Sequence, residues 1–235
     1  MKVPALFKTI VKEFKRDIFI SILLLALVDF IYVNFTGIQH NGESGMILWQ
    51  GGNDKYPFDL RTVLLKLLNI SIVFITVGKI ADKISSDIIL YILARITNYK
   101  KFICSYSIVI IVLGEILFTA FHLVYYCFAG VYSEQVRSCF FYYLMDVLGF
   151  LGMMILYIVL NNCYSLENSF TYMIAVYLLN TVLPVPVLPA MSTVRFLSIT
   201  NQIPIVLLLL LVLGTDLIVG IFYYELIKRR RVNVC

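Results

Sequence analysis

Charge is scarce in this chain. Of its 235 residues only 14% are charged, against 61% hydrophobic. A soluble domain normally carries roughly a quarter of its residues as charges, so a water-soluble fold is excluded. The apolar stretches run on without alternation, which favours helices, with their backbone hydrogen bonds satisfied internally in lipid, over a membrane barrel. No GxxxxGK[ST] loop is present, so the chain cannot bind ATP in that manner. HExxH, GxSxG and a paired-aspartate cluster are missing as well, so no catalytic residues are assigned. The five cysteines form no CxxC motif and no Cys/His cluster, so no metal site is expected. The opening MKVPALFKTIVKEFKRD carries charge throughout and lacks a short apolar core with a small-residue cleavage site. No cleavable signal peptide is expected.

What is present is a series of long apolar runs. The length rule for a bilayer, about 20 residues per helix, places six spans at 17–36, 62–81, 104–127, 140–161, 170–190 and 204–225. The expected fold is therefore all-α and polytopic. Pro184, Pro186 and Pro189 interrupt the far end of the fifth span. Lys and Arg cluster at three places: Lys2 to Arg16, Lys83 to Lys101, and Lys228 to Arg231. The positive-inside rule then puts both termini in the cytoplasm. Tyr125, Tyr126, Tyr142 and Tyr143 are expected at the outer interface, and Tyr164, Tyr172, Tyr223 and Tyr224 at the inner one. Abundant Lys, Tyr, Ile and Phe suit a low-GC bacterium, and hence a bacterial plasma membrane. The lipid bilayer is the expected partner; nucleic acid is not.

Residues 1–16 form an amphipathic segment ahead of the single transmembrane domain 17–235. Val3, Leu6, Phe7, Ile10 and Phe14 make one apolar stripe, with Lys8, Lys12 and Lys15 on the other side. This is the pattern of a cytoplasmic helix lying in the membrane interface. A second short element, SSDIILYILARITNYKK, occupies 85–101. It is too short to span. Ser85 or Ser86 can cap it, Asp87 suits its positive end, and Asn98 can stop it, giving a helix over about 87–97.

Ionisable residues inside spans are costly and are functional candidates. Glu115, Thr119 and His122 fall at i, i+4 and i+7 on one face of the third span, and Asp216 sits mid-way in the sixth. These are the candidate translocation path; the structural alternative is interhelical hydrogen bonding. Asp29 and Asp146 lie in outer halves and read as structural. Lys66 can snorkel or pair with Asp29. Gly149, Gly152, Gly214 and Gly220 read as sites of close helix packing. Cys127 and Cys139 flank the second outer loop, where a disulfide is geometrically allowed.

The order of these elements resembles the permease subunit of ABC-2 type transporters. The carriers of the resemblance are the amphipathic N-terminal helix, a span, an outer loop, a second span and the "LARITNYKKF" turn leading into the third. The turn departs from the family in having neither Pro nor Gly. The resemblance implies that Ile88, Tyr91, Arg95, Thr97, Asn98, Tyr99 and Lys101 form a coupling helix seated on a cytoplasmic ATPase. It also makes the 161–169 turn, NNCYSLENS, a second contact. Two ATPase subunits would bind ATP and Mg, no cofactor would reside in this chain, and the path would form with a second permease copy or sister permease. The implied activity is ATP-driven export of a hydrophobic or amphipathic substrate, such as an antimicrobial or toxic peptide. The rival readings are a membrane-embedded enzyme and a non-transporting immunity or sensor protein.

Overall fold

The computed structural model describes residues 3–36, 60–84, 99–129, 136–182 and 205–229. Among them are seven α-helices and no strand. They are α1 (Val3–Glu13), α2 (Lys15–Thr36), α3 (Leu60–Lys83), α4 (Tyr99–Ala129), α5 (Val136–Cys163), α6 (Leu166–Val182) and α7 (Ile205–Arg229). Three of them are long and apolar enough to cross a membrane: Lys15–Asn34, Val63–Lys83 and Phe102–Phe128. A shorter apolar stretch covers Asp146–Asn161 in α5. Helices α5, α6 and α7 lie over the fourth, fifth and sixth expected spans. The proline-rich end of the fifth span lies outside the described residues.

The apolar stripe of α1 folds as a helix face, but it is covered by protein rather than lipid. Leu6, Ile10 and Phe14 are buried, Val3 and Phe7 pack against the same core, and α1 rests on α4. Lys8 and Lys12 remain exposed. The expected interfacial helix is thus bound to the bundle, because its stripe matches a neighbouring helix as well as it would match acyl chains. Only Phe14 separates α1 from α2. Its N–H donates to the Ile10 carbonyl at 2.9 Å and its carbonyl accepts from Ile18 N–H at 3.0 Å. Lys83 Nζ lies 5.3 Å from the centre of the Phe14 ring, which ties this bend to the end of α3.

A two-residue break, Tyr164 and Ser165, joins α5 to α6. Ser165 Oγ accepts from Asn168 N–H at 3.4 Å, the position of a helix N-cap. Most of the expected 161–169 turn is therefore helix end and helix start. α4 is central in the bundle: it packs on α1, α2, α3 and α5, while α7 leans chiefly on α5.

An aromatic column runs through the core. Tyr157 stands 4.9 Å from Phe74, Phe74 is 5.7 Å from Phe150, and Phe150 stacks on Phe118 at 4.1 Å with planes 7° apart. Phe118 then meets His122 edge-on at 4.5 Å, and His122 meets Tyr143 at 5.4 Å. Each such pair adds about 0.5–1.5 kcal/mol beyond its buried area. The column needs α3 close to α5, and Gly78 permits that. A Cβ on Gly78 would strike the Tyr157 hydroxyl and Leu166. Gly114 gives Met154 the same room between α4 and α5. Gly214 and Gly220 do not act this way; a Cβ on either meets nothing within 4 Å. Tyr125 is fully buried, 6.4 Å from Tyr32, and Tyr143 is half-buried.

Candidate functional site

Two polar regions sit inside this apolar bundle. The first gathers on α3, α4 and α5. Lys66 Nζ donates to Asp146 Oδ2 at 3.2 Å, and Oδ1 of the same carboxyl is 3.5 Å away. His122 Nε2 is 3.2 Å from Asp146 Oδ2, and Nδ1 is 2.9 Å from the Phe118 carbonyl. A carbonyl can only accept, so the contact to Phe118 is a hydrogen bond in the tautomer that carries its proton on Nδ1. His122 is fully buried, and the Lys66 and Asp146 side chains keep only 9% and 10% of their exposure. Asp146 is thus a node joining three helices. Thr119 extends the region by a 2.9 Å hydrogen bond between its hydroxyl and that of Tyr143. Lys66 pairs with Asp146 and not with Asp29. The Asp29 carboxyl instead accepts from Asn69 Nδ2 at 3.0 Å, linking α2 to α3.

The second region lies between α4 and α7. Glu115 is near the middle of α4, and Asp216 near the middle of α7. Both oxygens of each carboxyl are buried, and all four have no hydrogen-bond partner among the described residues. Glu115 lies about two turns from Ser107 on α4, and Asp216 about two turns from Tyr223 on α7. Toward the end of α7 the seam is pinned by a 2.6 Å hydrogen bond between the Ser107 and Tyr223 hydroxyls. Buried carboxyls without partners are rare, because desolvation is then not offset by any hydrogen bond.

The four candidate path residues therefore separate into two pairs. Thr119 and His122 join the paired cluster on α5, whereas Glu115 and Asp216 lie on the two helices of the α4–α7 seam, with no hydrogen-bond partner among the described residues. Lys66 and Asn69 complete the first region. Their signal was available in the sequence, as two polar residues at i and i+3 in an apolar span.

Of the coupling residues, Ile88, Tyr91, Arg95, Thr97 and Asn98 lie outside the described residues. Tyr99 and Lys101 belong to the first turn of α4, not to a connecting turn. Cys104 and Cys127 are free thiols. Among the described residues no set of three His, Cys, Asp or Glu side chains is arranged to hold a metal ion.

An all-helical bundle with a greasy exterior, an aromatic core and buried charge is a membrane-embedded protein. On α7 alone, Leu217, Ile218, Ile221 and Phe222 point outward with 60% or more of their surface free. Comparison with protein-family models, with curated proteins and with solved structures returned no match.

Proposed function

We propose that this chain is the permease subunit of an ATP-driven exporter in a bacterial plasma membrane. Its helices α2 to α7 make six spans, with both termini in the cytoplasm. Two copies, or this chain and a sister permease, line a path powered by two separate ATPase subunits that bind ATP and Mg. The cargo is a hydrophobic or amphipathic molecule, most simply a peptide. The observation that carries this reading is the set of four buried, unpartnered carboxyl oxygens on Glu115 and Asp216. A bundle that served only as an anchor would gain nothing by keeping them, since unpaired acids in apolar helices are costly. The resemblance in layout to ABC-2 permeases supplies the energy source, as does the missing phosphate loop.

Co-purification tests the reading. The tagged chain is expected to retain the ATPase encoded beside it, and Arg95→Glu combined with Tyr99→Ala is expected to release it while the variant stays monodisperse in detergent. ATP hydrolysis is read on the surviving complex. An ATPase that never associates, or that holds the double variant equally well, overturns the docking segment and moves the enzyme and sequestration readings forward.

A further inference from the structure

We propose that the α4–α7 seam binds the cationic head of a lipophilic organic cation between the carboxyls of Glu115 and Asp216. This deepens the transport reading, and rests on it, by naming the chemical class of the cargo.

Three observations converge. Asp216 is only 6% exposed, and neither of its oxygens has a hydrogen-bond partner among the described residues. Both carboxyl oxygens of Glu115 on α4 are likewise buried without a hydrogen-bond partner among the described residues, and the Ser107–Tyr223 hydrogen bond joins α4 to α7 about two turns away. There is also open space beside α7. Gly220 lies one turn beyond Asp216 on the same face of α7, and a Cβ there would meet nothing within 4 Å. The opening is bounded at its far end by the Ser107–Tyr223 hydrogen bond.

The chemistry of the donors selects the ligand. Hard metal cations take about six to eight oxygen ligands or keep several waters. The seam offers four carboxyl oxygens that have no hydrogen-bond partner among the described residues, and no three-residue metal set occurs among them. An ammonium brings three donors, which four acceptor oxygens can satisfy without water. The exposed apolar face of α7, with Leu217 and Ile218 beside Asp216, offers a hydrocarbon tail the same surroundings as lipid.

The test is protection from carbodiimide. The intact chain in nanodiscs is treated with dicyclohexylcarbodiimide, and adducts on Glu115 and Asp216 are quantified by peptide mass spectrometry. Dodecylammonium is the probe, with dodecanol and sodium chloride as comparisons. Dodecylammonium is expected to slow labelling at both carboxyls roughly tenfold, the protection given at about ten times its Kd. Asp216→Asn is expected to abolish protection of Glu115. Equal protection by dodecanol would mean a merely apolar cleft, and equal protection by sodium an alkali-ion site; either overturns the proposal. So does the absence of any adduct in ligand-free protein, since a seam closed to a lipophilic carbodiimide is closed to an alkylammonium. No ATPase enters this measurement, so its failure is distinguishable from failure of the docking experiment.

Discussion

Asp146 and Asp216 are both aspartates inside apolar helices, 8% and 6% exposed, yet their surroundings are opposite. Asp146 is met by an ammonium and an imidazole at 3.2 Å each, from two other helices. Neither oxygen of Asp216 has a hydrogen-bond partner among the described residues. The first arrangement is what a bundle builds to hold itself in register, because every polar group closes a contact between helices. The second contributes no such contact. The difference teaches that burial of a charge-bearing residue does not assign its role. The partners do, and here they separate a paired structural cluster from the seam proposed to bind a ligand.

The comparison breaks most readily at Asp146. Replacing it with Ala removes the carboxylate from both Lys66 and His122. Truncating one partner of a buried ion pair costs about 3–5 kcal/mol, so the variant is expected to unfold at markedly lower temperature in detergent. Lys66→Met combined with Asp146→Leu is expected to recover a large part of that loss, because no buried charge is then stranded. Thermal unfolding followed by loss of monodisperse protein checks both. If Asp146→Ala melts like the wild type, the paired cluster does not hold the bundle.

Packing sharpens the same contrast at a smaller scale. Gly78→Val drives side-chain atoms into Tyr157 and Leu166 and shifts the aromatic column. Overpacking of this kind costs about 1–3 kcal/mol. Gly220→Ala, on the seam side of α7, places a methyl where nothing lies within 4 Å and is expected to leave stability unchanged or slightly raised. Melting of the two variants side by side is the measurement; equal losses would show that α7 is wedged as tightly as α3.

How far these features were legible follows from their range. Helices are local: uninterrupted apolar runs placed α2 to α7 and an apolar stripe placed α1; even the cap at Ser165 is a short-range signal. The partner of Lys66 is not local. Asp146 lies 80 positions away, and hydropathy cannot choose between it and Asp29 until α3 is seen against α5 rather than α2 alone. The same limit misplaced the glycines. Gly214 and Gly220 look like packing residues, but only the arrangement of neighbours shows that Gly78 and Gly114 fill that role. The face shared by Glu115, Thr119 and His122 was visible as a helical spacing. Its division between α7 and α5 was not, since a helix surface a few residues wide can touch two neighbours.

The smallest expected effect is the most discriminating. Glu115→Gln together with Asp216→Asn changes four buried oxygens that have no hydrogen-bond partner among the described residues, so no described hydrogen bond is lost. Shape is nearly conserved, and the cost is expected to be small beside that of Asp146→Ala, which strands a buried charge. Against this, the same double variant should lose protection and binding of dodecylammonium entirely. Melting temperature and ligand binding measured on one preparation separate the two regions: Asp146→Ala should lower stability first, and the seam variant should lose ligand with stability intact. A fall in melting temperature comparable to that of Asp146→Ala would instead make Glu115 and Asp216 part of the scaffold, and the α4–α7 seam would have to be read as a structural contact like its neighbour on α5.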